Sequence, residues 1–120
     1  MNYINHRNNT STTRKEDLTH RFYTLMMDNY REHKEVIFYA DKLHVSSKYL
    51  SEVVKETSGK SPKDWIIDYS LLEIKELLKN SSLNIQEITI RTKFLNQSAL
   101  GRFFKRHTNM SPSEYRESTY

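Results

Sequence analysis

The chain has no cysteine. Disulfide scaffolds, zinc ribbons, thiol nucleophiles and methyl-accepting cysteines are excluded, and the absence favours an intracellular setting. Glycine and proline each occur only twice, and no alternating apolar/polar run exceeds a few residues. That leaves little from which to build strands and tight hairpins, and points to helices joined by short turns. Long apolar runs are missing too. Nothing approaches the roughly 18 residues of a membrane span, and residues 1–15 lack the apolar core of a signal peptide. The histidines (His6, His20, His33, His44, His107) show no HExxH or other metal spacing. Neither a glycine-rich phosphate loop nor a nucleophile elbow is present. No enzyme, cofactor or metal site is expected.

One further absence is local. Residues 91–110 hold Arg91, Lys93, Arg102, Lys105 and Arg106 and no acid. Residues 1–90 balance 13 Lys/Arg against 13 Asp/Glu, so the whole net charge of +4 arises in that one window. Such asymmetry suits either a surface facing a polyanion or a solvated basic helix face. Charge alone does not choose between them.

A length of 120 residues suits one domain or two small subdomains sharing a helix. Residues 1–14 are rich in Asn, Ser and Thr without apolar period and read as a flexible tail or linker remnant. Thr13 with Glu16 fits a capping box for a first helix from about Arg14 to His33, with Leu18, Phe22, Leu25 and Met26 inward. A short helix over 36–43 turns Ile37, Ala40 and Leu43 inward. Ser46 caps a helix over 47–58, whose inner face is Leu50, Val53, Val54 and Thr57, and Gly59 stops it. Ser61-Pro62 opens a long helix to about Asn80, apolar on two sides. Asn84 caps a short helix to Thr92, 93–95 turn, and 97–108 form the next helix with Leu100, Phe103 and Phe104 inward. His107 continues that inner face. Asn109 can take the left-handed conformation, and Ser111-Pro112-Ser113-Glu114 starts a last short helix.

The chain repeats itself. At an offset of 50, Leu50 meets Leu100, Lys55 meets Lys105, and Ser61-Pro62 meets Ser111-Pro112; before the turn the offset is 49, pairing Ala40 with Thr89 and Val45 with Phe94. Each copy is a short helix, a turn and a longer helix, which is a helix-turn-helix. The expected fold is all-α, with about seven helices and two helix-turn-helix subdomains (15–61 and 81–120) joined by a long linker helix (62–80). In this motif the second helix enters the DNA major groove. The 18 residues from Pro62 to Lys79 span about 27 Å at ~1.5 Å per residue. With the width of the flanking units, that suits major grooves roughly 34 Å apart on one side of a duplex.

Helical period sets the outward residues. In the second copy Gln97, Ser98 and Arg102 are candidates for base reading, with Gly101 leaving room for close approach to the groove wall. Arg102 carries the fork that matches guanine, and Gln97 the amide that matches adenine. Lys105 and Arg106 suit phosphate, as does Lys93 in the turn. In the first copy Ser47, Lys48, Ser51 and Glu52 face bases and Lys55 phosphate. The charges of this helix cancel, so it is expected to add less affinity and more discrimination.

These residues resemble the DNA-binding domain of AraC/XylS-type bacterial transcription regulators. The second copy, IQEITIRTKFLNQSALGRFFKRHTNMSPSEYR, matches the family signature at Ile85, Ile88, Phe94, Ser98, Arg102, Phe104, Lys105, Ser111, Pro112, Tyr115 and Arg116. The first matches at Ala40, Leu43, Ser46, Leu50, Lys55, Gly59 and Pro62. The chain departs from the pattern at Thr89 (usually Ala), Lys93 and Asn109 (usually Gly) and Leu100 (usually aromatic). Ser70 stands where a phosphate-contacting Arg is common. The resemblance implies double-stranded DNA as partner, a cytoplasmic, nucleoid-associated location and control of transcription, often activation through RNA polymerase. It also implies a monomeric output domain excised from a longer regulator, with any dimerisation through another domain. The competing expectation is a helical protein-interaction adaptor that has lost DNA binding, motivated by Ser70 and the neutral first helix.

Overall fold

The computed structural model describes residues 13–119. Local signals place seven helices in them: α1 (Arg14–Asn29), α2 (Val36–Lys42), α3 (Ser47–Ser58), α4 (Pro62–Asn80), α5 (Ile85–Arg91), α6 (Gln97–Thr108) and α7 (Pro112–Glu117). Residues 1–12 of the expected tail lie outside the described residues.

Side-chain oxygens satisfy the orphan N–H groups at most helix starts. The Thr13 hydroxyl accepts from Glu16 N and the Glu16 carboxylate from Thr13 N, both at 3.0 Å. Asn84–Glu87 and Ser111–Glu114 form the same reciprocal box. Ser46 Oγ accepts from Tyr49 N, Ser61 Oγ from Asp64 N and Asn96 Oδ1 from Ala99 N. Gly59 ends α3 at φ +86°, and Asn109 ends α6 at φ +66°.

The described chain divides into two compact units, with the division inside α4 between Ile66 and Ile67 and residues 30–32 belonging to the second. In the first unit α1 packs on α2 and α3. Its core is Leu18, Phe22, Met26, Tyr39, Ala40, Leu43, Leu50, Val53, Val54 and Ile66. Phe22 and Tyr39 meet edge to face, and Trp65 donates to Ser58 Oγ at 2.9 Å with Lys60 Nζ 4.3 Å over its ring. In the second unit Ile74, Leu78, Ile88, Leu100 and Phe104 form the core, with Leu83, Phe94, Phe103 and Tyr115 packed around it. Arg116 there caps the end of α4: Nε donates to Leu78 O at 2.8 Å and Nη2 reaches Leu77 O and Ser81 O. Arg116 therefore serves the fold.

Several expected positions are corrected. α1 ends at Asn29, not near His33, because residues 30–32 turn away. Tyr30 and Arg31 bond Glu73 on α4, Arg31 Nε at 3.0 Å, and burial followed by the Glu73 charge raises the Tyr30 pKa. His33 stacks on Phe38 at 3.7 Å. On α2 the buried residue is Tyr39, whose hydroxyl donates to His33 O at 2.7 Å, while Ile37 is 55% exposed. A seven-residue helix is too short for its apolar period to fix its rotation. Thr57, in the last turn of α3, is exposed. His107 is exposed too, although its ring touches Phe103 at 4.9 Å. Ser70 is buried in the α4 row Ile66, Ser70, Ile74, Leu78, spaced by four. Ser70 itself therefore packs inward and offers no hydroxyl to a phosphate.

Candidate nucleic-acid interface

α6 presents two chemically opposite faces. Leu100 and Phe104 are fully buried, and the half-buried Phe103 leans on Phe94 with ring centroids 5.1 Å apart. The opposite face carries Gln97, Ser98, Arg102, Lys105 and Arg106, all exposed. The spacing puts Gln97, Gly101 and Lys105 on one row and Ser98, Arg102 and Arg106 on the next. Among the described residues no ion pair ties up Arg102 or Arg106. A Cβ added at Gly101 would meet nothing within 4 Å. Packing therefore does not require glycine in the middle of this helix, where glycine costs about 0.5–1 kcal/mol relative to alanine.

α3 is built the same way with weaker charge. Leu50, Val53 and Val54 are buried; Lys48, Glu52 and Lys55 are exposed; Ser47 and Ser51 are half-buried. Its other acid, Glu56, pairs with Lys15 of α1 at 3.3 Å. The acid that competes with Lys48 and Lys55 on the outer face is therefore Glu52 alone. All the residues expected to face DNA are on or beside the outer faces of α3 and α6, in the two units separately.

The turns differ by one residue. His44 (φ +60°) and Lys93 (φ +66°) hold equivalent left-handed positions, and Ser46 and Asn96 are equivalent caps. The extra residue of the second copy is Leu95, which is 90% exposed. Lys93 lies 3.9 Å from the Glu32 carboxylate, both about half exposed. A phosphate approaching Lys93 would have to compete with that acid. Beyond the acid-free window, the Ser111 backbone N–H and then the Lys105 charge hold the Glu114 carboxyl below its ordinary value.

Two features escaped the sequence reading. Gln97 Nε2 donates to Gln86 Oε1 of α5 at 2.9 Å, a contact between residues with no common periodicity. Glu32 beside Lys93 is equally remote in sequence. The Asn96 cap could have been found, since Asn directly precedes the apolar period of α6. Among the described residues no group of three or more His, Asp or Glu could hold a metal ion, and no helix is long and apolar enough to cross a membrane.

A family profile described as "Helix-turn-helix domain" matches residues 39–118. The HTH-type transcriptional regulator YobQ of Bacillus subtilis (strain 168) is 32% identical over 77 residues, covering 64% of this chain and 32% of that protein. The chain spans about a third or less of the length of the curated relatives it matches first. Among solved structures, the C-terminal domain of AraT, a response regulator from Geobacillus stearothermophilus, aligns with a TM-score of 0.76 at 25% identity, over 90% of this chain and 93% of that one. The DNA-binding domain of AdpA, solved in complex with a target DNA, aligns with a TM-score of 0.69 at 23% identity, over 82% and 88%.

Proposed function

This chain belongs to the AraC-type helix-turn-helix family of transcription regulators, and from that premise we propose that it binds double-stranded DNA sequence-specifically, with α3 and α6 entering adjacent major grooves. The observation that carries the reading is the outer face of α6: exposed Gln97, Ser98, Arg102, Lys105 and Arg106, with no acid among them, on a helix whose opposite face buries Leu100 and Phe104 in the core. A cationic, hydrogen-bonding stripe on a rigid helix suits the acceptor-rich floor of a groove flanked by phosphates.

Each residue has a role that follows from its chemistry. Arg102 donates a fork to guanine O6 and N7, and Gln97 pairs an acceptor and a donor with adenine. Ser98 addresses a base edge or phosphate, and Gly101 admits the groove wall. On α3, Ser47, Lys48, Ser51 and Glu52 read bases, with Glu52 accepting from a cytosine amine. Lys55, Lys93, Lys105 and Arg106 grip phosphates. The subdomains 15–61 and 81–120, with 62–80 between them, then read an asymmetric site of about two turns. The copies of a dimer would read a palindrome instead. Regulation by activation, with RNA polymerase as second partner, belongs to the same proposal and is supported by the family alone. The DNA complex of the AdpA domain agrees with a duplex partner.

The test is a salt titration on a duplex selected from a random pool. Affinity should fall with a log–log slope of about −0.9 for each phosphate neutralised. Inserting half a helical turn between the two contacted segments should abolish the tight complex. Binding that is absent, or flat with salt, would sink the DNA reading. Tolerance of the insertion would sink only the two-groove arrangement.

A further inference from the structure

We propose that Gln86 is a positioning residue for base reading, which holds the Gln97 amide in the one orientation that selects adenine; the proposal rests on the base-reading role of Gln97 given above. Gln86 is the second residue of α5 and Gln97 the first of α6. Both are exposed, and Gln97 Nε2 donates to Gln86 Oε1 at 2.9 Å. An exposed glutamine otherwise rotates about its last torsion and presents either end of its amide. Here one Nε2 hydrogen is committed to Gln86. The other remains for a base, beside an Oε1 that can accept.

That leaves one donor and one acceptor side by side. Adenine offers the complementary pair in the major groove, N7 as acceptor and the N6 amine as donor. Guanine offers two acceptors, O6 and N7. A freely rotating glutamine amide could turn both Nε2 hydrogens toward guanine; while its Nε2 donates to Gln86 Oε1, it cannot. The anchor also removes part of the rotamer freedom that Gln97 would otherwise lose on binding.

The first copy shows that this bond is not needed to build the motif. Residues 37 and 47 stand at the equivalent positions, and they are Ile37 and Ser47. Ile37 has no hydrogen-bonding side chain and is 55% exposed. The turn, the left-handed residue and the cap form there all the same. The glutamine pair therefore adds something that the helix-turn-helix itself does not use.

The experiment is a site selection and titration with the full chain and four variants: Gln97→Ala, Gln86→Met, Gln86→Glu and the Gln86→Met/Gln97→Ala double. Gln97→Ala identifies the position at which adenine preference is lost. Gln86→Met keeps the length and removes the acceptor. It should lower the adenine-over-guanine ratio at that same position by about three- to tenfold, the range of one neutral hydrogen bond. Other positions, the salt slope and the helical circular dichroism should not change. Gln86→Glu keeps an accepting oxygen and should retain the wild-type ratio even if its charge weakens binding to every duplex. The double variant should discriminate no worse than Gln97→Ala. If Gln97→Ala erases the preference while Gln86→Met preserves it, the positioning role is wrong and the Gln97 reading stands. If Gln97→Ala leaves every base preference intact, Gln97 does not read bases and the proposal falls with it.

Discussion

At His44 and Lys93 the two copies make the same left-handed turn, and at Ser46 and Asn96 they place the same cap. Between those points the first copy has Val45 alone, and the second has Phe94 and the extra Leu95. On the helices that follow, Leu50 and Leu100 are both fully buried, as are Val54 and Phe104. The outer faces have diverged: Lys48, Glu52 and Lys55 on α3 against Gln97, Arg102, Lys105 and Arg106 on α6. Burial has held the inner positions to apolar residues, whereas the outer ones are constrained only by what they touch. The pair Ile66 and Arg116 makes the same point within the fold. At equivalent positions, one side chain fills the first core and the other caps the carbonyl end of α4.

The largest expected contrast lies in the cores. Phe104→Ala should destabilise the second unit by about 3–5 kcal/mol, and the equivalent Val54→Ala the first by about 2 kcal/mol or less. Denaturant titration followed by circular dichroism and by Trp65, the only tryptophan and a residue of the first unit, measures both. Equal losses would contradict a larger side-chain contribution in the second core.

Next come the reading faces. Arg102→Ala should cost about 1–3 kcal/mol of binding and relax preference at one base position. Glu52→Ala should raise affinity for all duplexes by removing a charge repelled by phosphate, while loosening preference at one cytosine. If a binding selection returns the unchanged motif for Arg102→Ala, that assignment is wrong.

The two glycines should respond with opposite signs. Gly59→Ala forces a side chain into φ +86° and should cost about 1 kcal/mol of stability. Gly101→Ala meets open space and should gain about 0.5–1 kcal/mol in thermal unfolding. The same variant should weaken DNA binding if the groove wall approaches there; undiminished affinity would remove Gly101 from the interface.

The smallest effect is the titration of the second copy's last cap. Glu114 has its folded pKa depressed, first by the Ser111 N–H. Its contribution is therefore present above the unfolded value, about pH 4.3, and is lost as pH falls through the depressed folded value. A Glu114→Gln variant should show less acid-induced fraying of α7 by amide exchange. Identical acid limbs for the two proteins would count against the box.

Much of this was legible in the sequence because caps and repeats are local signals. Ser46, Gly59, Pro62, Asn84, Asn109 and Ser111 fix the bounds of α3, α4, α5, α6 and α7 with little help from packing. What was misread depends on distant partners. Tyr39 can be buried because its hydroxyl finds His33 O, and α1 stops early because Tyr30 and Arg31 find Glu73. The outer residues of α6 followed from period alone, but their neighbours did not. Gln86 and Glu32 come from other segments, and no spacing rule brings them to Gln97 and Lys93.

The turn residue Lys93 carries a conformational cost. Its backbone sits at φ +66°, where a residue with a Cβ is held at a cost of about 1 kcal/mol, and glycine would relieve it. Lys93→Gly should therefore make a hardier protein that carries one cation fewer where a phosphate would lie. The turn sits below its own thermodynamic optimum, and on the proposed function what it keeps in exchange is reach toward a phosphate.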